Sequence, residues 1–252
     1  MAVMATVILS RHPGTEANQQ RFEEDLIAEL RTAAVRLVLV PHVYYLTPGD
    51  PASVRLRQLV LSGTRVTVAG WLHPRALRWT LAALGCDLPA DRVTDLRTFT
   101  SVQECAAHLA AGVGADRGQA VIEDLGPGRA GRWYPVIDRD RCTGCKQCLD
   151  FCLFGVYSPG ASSEVLVTQP DNCKPGCPAC ARVCPTGAIM FPEYAGSATI
   201  AGSPDATGET PTGPAMPTET ALTGRPPAAG STTGNHDELD DLIDALDDLD
   251  QD

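Results

Sequence analysis

The chain has 252 residues, 44% of them hydrophobic, which is enough for one mid-sized domain and one small one. Its net charge of −11 arises mainly from residues 237–252, which hold nine acidic residues and no Lys or Arg and leave −2 for the remainder. A body so close to neutral excludes the basic surface that nucleic-acid binding requires, and no apolar run reaches the roughly 18 residues of a membrane-spanning helix.

The N-terminal ten residues are apolar but have neither the basic start nor the small-residue cleavage site of a signal peptide. We interpret them as part of a buried strand and expect a cytoplasmic protein. Eight of the ten cysteines lie between Cys142 and Cys184. In a reducing compartment, such clustering favours metal binding over disulfides.

Short apolar strands alternate with helical periodicity through residues 1–125. Strands are predicted at residues 3–9, 35–40 and 65–69, and helices at 15–32, 52–61, 75–84 and 101–111. This alternation predicts an α/β domain whose parallel sheet is built from βαβ units.

Composition divides the rest of the chain into four segments. They are a Gly- and Pro-containing hinge at 126–132, a cysteine-rich domain at 133–194, a Gly/Ala/Ser/Thr/Pro-rich linker at 195–236 and an acidic tail at 237–252. The hinge matches G-x-G-x-x-G, but it does not connect a strand to a helix as a dinucleotide fingerprint does. The linker composition predicts disorder, since it offers little apolar surface to bury.

The cysteine-rich segment contains two runs of four cysteines. They are Cys142-x2-Cys145-x2-Cys148-x3-Cys152 and Cys173-x3-Cys177-x2-Cys180-x3-Cys184, the second followed by Pro185. Three closely spaced thiolates can surround one side of an iron–sulfur cube, and the fourth must come from elsewhere in the chain. The alternative is zinc, but zinc sites favour two separated C-x2-C pairs. Cys86 and Cys105 stand apart and are interpreted as core thiols.

Residues 133–194 resemble the bacterial two-cluster ferredoxins, which implies an α+β fold carrying two [4Fe–4S] clusters. The resemblance implies that Cys142, Cys145, Cys148 and Cys184 hold one cluster, and that Cys173, Cys177, Cys180 and Cys152 hold the other. It also implies a hairpin at 156–158 and 165–168 and a strand at 189–191. The sequence departs from the family in two places: an extra residue between Cys173 and Cys177, and Leu153 where a proline usually stands.

Three histidines, His12, His42 and His73, each follow a predicted strand of the first domain. In a parallel sheet they would lie near the carboxyl edge, where ligands bind. Residues 7–12 and the helix after them are similar to the start of sirohydrochlorin-type chelatases, in which a strand also ends in a histidine. A binding or catalytic histidine cluster and ordinary loop residues are both open interpretations.

We therefore expect an electron carrier or electron-transfer subunit, rather than a stand-alone enzyme, that relays single electrons to or from a partner oxidoreductase. The alternative is a redox-linked enzyme whose α/β domain binds a tetrapyrrole, metal or small molecule at the three histidines. A third hypothesis is an assembly scaffold. Leucine and isoleucine recur at helical spacing within residues 237–249, which predicts a segment that docks the redox partner; a solubilising acidic tail is the alternative.

Overall fold

The computed structural model describes residues 5–14, 16–127 and 131–203. The first part of the chain contains β1 (Thr6–Ser10), α1 (Ala17–Leu30), β2 (Arg36–Val40), α2 (Pro51–Leu61), β3 (Val66–Gly70), α3 (Pro74–Ala83), β4 (Val93–Asp95), α4 (Val102–Val113) and β5 (Val121–Asp124). The second part contains β6 (Val136–Ile137), α5 (Gln147–Phe151), β7 (Tyr157–Pro159), β8 (Val165–Val167), α6 (Ala179–Val183), β9 (Ile189–Met190) and α7 (Ala198–Ala201).

The first nine elements form a five-stranded sheet in the order β4-β3-β1-β2-β5, with every neighbouring pair parallel. The predicted parallel sheet of βαβ units is therefore confirmed. The two edge strands were not predicted from the sequence. The strand β4 has only three residues, and β5 ends in Glu123 and Asp124, so neither has the long apolar pattern of a buried strand.

The central strands are buried on both faces, as the apolar runs predicted. On β1, Val7 and Leu9 belong to a core formed with α1 and α4, whereas Ile8 belongs to a second core formed with α2 and α3. Successive side chains of a strand point to opposite faces, which explains this division. The second core continues into the cysteine-rich part, where it includes Val136 and Ile137.

The cysteine-rich part is built from two small antiparallel sheets, β6 with β9 and β7 with β8, and the two short helices α5 and α6. It packs against the α3 side of the parallel sheet. Tyr44, fully buried in the turn after β2, stacks on Tyr134 with ring centroids 4.5 Å apart. The Tyr44 hydroxyl donates to the Tyr134 carbonyl (2.6 Å) and accepts from the Tyr134 amide (2.8 Å). One side chain therefore fixes the start of the second part on the first.

The structure differs from the sequence prediction at the start of the proposed linker. Residues Ala198–Ala201 form α7, and Ile200 and Ala201 are buried, so this part of the proposed linker is folded. The Ser197 hydroxyl accepts from the Ile200 amide and caps this turn. Linker residues 204–236 and the tail 237–252 lie outside the described residues, as do positions 128–130 of the proposed hinge. No helix of the described part has the length and apolar character of a membrane span.

Candidate metal centre

Four cysteines line one cavity of the second part: Cys142, Cys145 and Cys148 from the first run and Cys184 from the end of the second. The pairing of β6 with β9 brings the two ends of this set together. The Asp138 amide donates to the Ala188 carbonyl (2.8 Å), and the Cys142 amide donates to the Asp138 carbonyl (3.0 Å). The first cysteine of one run thus lies beside the last cysteine of the other.

The other four cysteines of the two runs form a second group: Cys152, Cys173, Cys177 and Cys180. Burial raises the pKa of Cys173 to about 12, and Cys177 and Cys152 add to that shift as neighbouring thiols. Cys180 has Cys173, Cys148 and Cys152 among its neighbours. Cys152, from the first run, therefore lies beside the second-run cysteines.

The short helices explain why the fourth cysteine of each run lies near the other run. In each run, the third cysteine lies in a five-residue helix, α5 or α6, and the fourth follows immediately after the helix ends. The two helices pack against each other. A cysteine at the end of one helix is therefore carried away from its own loop and toward the loop of the other run.

All ten cysteines are free thiols. Of the eight in the two runs, four are buried, three are half-buried and one is exposed: Cys148, Cys173, Cys180 and Cys184; Cys142, Cys152 and Cys177; and Cys145. Burial raises the pKa of Cys148 to about 11, with Cys184 the largest contributor among the neighbouring thiols. Hydrogen bonds reach the sulfurs directly: the Ala188 amide donates to Cys184 Sγ (3.3 Å), and the Tyr157 hydroxyl donates to Cys180 Sγ (3.0 Å). The Thr186 hydroxyl also forms a hydrogen bond with Cys184 Sγ (3.7 Å). Thiols that are mostly buried or half-buried, with hydrogen-bond donors nearby, are a suitable environment for an iron–sulfur cluster, whose ligands are thiolates.

Both departures from the ferredoxin pattern are accommodated without moving a cysteine out of its group. The extra residue lies in a turn closed by the Cys177 amide, which donates to the Lys174 carbonyl (3.0 Å). Pro175 and Gly176 occupy its central positions, and Gly176 has φ +76°, as a type II turn requires. Leu153 is 92% exposed beside Cys152, between the partly exposed Phe151 and Phe154.

Sequence reasoning missed several side chains around the cysteines. Trp133 donates from Nε1 to the Cys177 carbonyl (3.1 Å) and stacks on Phe191 at 5.2 Å. Tyr157 lies within the predicted hairpin, but nothing in its local pattern signals that its hydroxyl reaches Cys180. Arg75, which comes from α3 in the first part, contacts Asp138 and the Gly187 carbonyl of the second part. No feature of the cysteine-rich segment could have revealed this contact.

One open cavity of about 430 Å³ at the carboxyl edge of β1, β2 and β3 is lined by His12, His42 and His73. The second part contributes Glu193 and Tyr194 to the same cavity. His12 packs edge-on against Trp71 at 5.3 Å, and His73 Nδ1 lies 3.8 Å from an Asp95 carboxylate oxygen. His12, His42 and His73 therefore lie at the carboxyl edge of the sheet, where the sequence predicted them.

The charge states in this cavity are governed by burial. Burial lowers the pKa of His42 to about 3, with a smaller contribution from the charge of His12, so His42 is neutral. Burial also raises the pKa of Glu193, against a hydrogen bond from Tyr45 and the charge of His12. Among the described residues, no three His, Cys, Asp or Glu side chains form a site for a single metal ion.

Comparisons with known proteins agree with the chemistry of the cysteines. A family model described as a 4Fe-4S binding domain matches residues 134–157. An uncharacterized ferredoxin of Methanocaldococcus jannaschii is 42% identical over 62 residues, which are 24% of this chain and 42% of that protein. The chain therefore spans less than half the length of this relative.

Ferredoxin-3 of Nostoc sp. is 35% identical over 74 residues, and the match covers 21% of this chain and 75% of that protein. A second uncharacterized ferredoxin of Methanocaldococcus jannaschii is 31% identical over 58 residues, with 74% of its length covered. Since three quarters of Ferredoxin-3 is matched at this identity, the chain belongs to the 4Fe-4S ferredoxin family.

Proposed function

We propose that this protein carries two [4Fe–4S] clusters and relays single electrons to or from a partner oxidoreductase. Its family membership supports iron–sulfur electron transfer as the general activity. The number of clusters and the ligand sets are the finer part of the proposal. One cluster is held by Cys142, Cys145, Cys148 and Cys184, and the other by Cys173, Cys177, Cys180 and Cys152.

The observation that carries the proposal is the location of the fourth cysteine of each run. Cys184 shares a cavity with the first run, and Cys152 neighbours Cys173 and Cys180. Each proposed set therefore combines three cysteines of one run with the fourth cysteine of the other. In two-cluster ferredoxins the last cysteine of each run ligates the other cluster, so this arrangement supports two clusters rather than one.

The bound clusters would supply reversible one-electron chemistry. The chain holds the thiolates, buries four of them (Cys148, Cys173, Cys180 and Cys184) and provides donors to the sulfurs. The Ala188 amide and the Tyr157 hydroxyl stabilise negative charge on Cys184 and Cys180, respectively. Hydrogen bonds to the sulfurs and solvent exposure are the principal means by which a protein sets a cluster potential.

Metal and sulfide analysis tests the proposal directly. After anaerobic reconstitution we expect about eight iron and eight sulfide per chain, and magnetically coupled [4Fe–4S]⁺ centres after reduction. A stoichiometry of four iron would refute the second cluster. Stoichiometric zinc without sulfide would refute iron–sulfur binding altogether.

The ligand exchange is tested with a matched pair of variants. Cys184→Ala should remove the cluster held by the first run, although Cys184 belongs to the second run in sequence. Cys152→Ala should remove the cluster held by the second run. Anaerobic electron paramagnetic resonance of each variant distinguishes the two clusters. If each substitution instead removes the cluster of its own run, the assignment is wrong.

The partner is proposed to dock in part through residues 237–249, a segment outside the described residues. Within the described part, exposed Leu153 and its neighbour Phe151 offer apolar surface next to Cys152. Deleting residues 233–252 should leave both clusters intact while weakening partner binding and reducing its salt dependence. Unchanged affinity for the native partner would mean that the acidic tail only aids solubility.

A second candidate function is binding of a tetrapyrrole or another small molecule in the histidine cavity, coupled to the redox state of the clusters. The convergence of His12, His42 and His73 at one sheet edge favours it. The cluster-loaded protein should bind uroporphyrin in calorimetric titrations, and His12→Ala and His73→Ala should weaken that binding without loss of iron. Absence of uroporphyrin binding would eliminate the tetrapyrrole candidate.

A further inference from the structure

A buried arginine from the α/β part contacts the segments that carry the ends of the first ligand set. Arg75 is near the start of α3, and its side chain is 8% exposed. Its Nε donates to Asp138 Oδ2 (2.6 Å), and its Nη2 donates to the Gly187 carbonyl. The guanidinium therefore holds the strand β6 end and the turn after Cys184 in a single fork, a geometry that suits arginine and not lysine.

The contact with Asp138 fixes the turn of the chain that leads to Cys142. Besides accepting from Arg75, the Asp138 carboxylate accepts from the amides of Asp140 (3.0 Å) and Arg141 (3.3 Å), which fixes the turn before the first ligand. The Asp138 carbonyl accepts from the Cys142 amide (3.0 Å). An arginine that positions Asp138 thus positions the start of the cysteine loop.

The Gly187 contact reaches the other end of the set through one peptide group. The Gly187 carbonyl and the Ala188 amide belong to the same planar unit, and the Ala188 amide donates to Cys184 Sγ (3.3 Å). A cation on the carbonyl oxygen of this peptide polarises its N–H and strengthens the bond that the N–H makes. Arg75 is therefore coupled to a cluster sulfur by two consecutive hydrogen bonds.

The local charge acts in the same direction. Arg75 and Arg141 both lie beside the single carboxylate of Asp138, at 2.6 and 3.6 Å. These three side chains together carry a net positive charge. Positive charge and hydrogen-bond donors near the sulfurs favour the more negative, reduced state of a cluster. Among the hydrogen bonds of the described residues, none joins a side chain of the first part to a cysteine of the second proposed set.

We propose that Arg75 is a positioning residue that orients the Gly187–Ala188 peptide and the Asp138 turn, and thereby raises the reduction potential of the first cluster relative to the second. The inference rests on the proposed two-cluster assignment. It gives the α/β part a function in electron transfer: through α3 it sets the potential of one of the two centres.

The test compares Arg75→Gln and Arg75→Lys with Arg78→Gln. Arg78 lies one turn along α3 and also binds an aspartate of the second part, Asp140, but at the surface (2.7 Å; side chains 25% and 65% exposed). The two midpoint potentials are measured by redox titration followed by electron paramagnetic resonance, with the signals assigned from Cys184→Ala. Iron and sulfide are counted in each variant.

In Arg75→Gln, the equilibrium constant for reducing the first cluster should fall about tenfold, a shift of about 59 mV for one electron. The second cluster should not shift. Arg75→Lys keeps the charge but loses the fork, so its shift should have the same sign and be smaller. Arg78→Gln should match the wild type. Selective loss of the four first-cluster irons from Arg75→Gln would equally support the positioning role.

Three outcomes would overturn the inference. They are unchanged potentials in an iron-replete Arg75→Gln protein, equal shifts of both clusters, and loss of all iron from both Arg75 variants while Arg78→Gln remains intact. The last outcome would make Arg75 a general folding residue. A wild-type protein without two clusters would instead refute the proposed function, so the two failures are distinguishable.

Discussion

Replacing Tyr44 with phenylalanine tests how firmly the cysteine-rich part is attached to the α/β part. The phenylalanine ring would retain the stacking on Tyr134, because only the hydroxyl is lost. That hydroxyl, however, is the partner of both the amide and the carbonyl of Tyr134 in a fully buried setting. Each buried backbone group left without a partner costs about 1–3 kcal/mol, so we expect a loss of about 2–6 kcal/mol.

The free energy of unfolding is measured by urea titration of the anaerobic iron–sulfur protein, with hydrogen exchange of the Tyr134 amide as a local readout. Tyr194→Phe is the matched control, because its hydroxyl accepts from Arg182 (2.7 Å) at the surface. A surface substitution of this kind costs about 0.5 kcal/mol or less. If Tyr44→Phe destabilises no more than the control, or if amide exchange is unchanged, the two-way hydrogen bond does not anchor the second part.

Three further predictions follow from individual positions. Gly144→Ala should remove the first cluster, because Gly144 has φ +71° and an added Cβ would lie 2.6 Å from the Ser163 carbonyl oxygen in the β7–β8 turn. Gly155→Ala is the control: Gly155 also has a positive φ (+65°), but an added Cβ would meet open space, so this variant should retain all iron. Burial, and to a smaller extent the neighbouring His12, lower the pKa of His42 from 6.5 to about 3, so between these pH values unfolding takes up a proton and the free energy of unfolding falls as the pH drops. His42→Asn should remove this contribution and make the free energy of unfolding less dependent on pH in that interval, as measured by urea titrations at several pH values. Burial raises the pKa of Cys86 to about 11 and of Cys105 to about 12, so mass spectrometry should find iodoacetamide adducts on both only after unfolding.

The sequence alone determined the features that depend on local spacing. The parallel sheet was predictable because apolar strands and amphipathic helices alternate, and strands such as β1 and β2 match that pattern closely. The meeting of His12, His42 and His73 was predictable for a related reason, since the ends of neighbouring parallel strands share one edge. Cysteine spacing identified the ligand type in the same way.

Tertiary structure alone decided the contacts between distant segments. Tyr44 and Tyr134 are 90 residues apart, and Arg75 and Gly187 are 112 residues apart. Neither pair has a local signature, because each exists only when α3 and the turn after β2 pack against β6. The short β4 and the burial of Ile200 in α7 have the same origin: their few residues acquire structure from the surfaces that they cover, not from their own pattern.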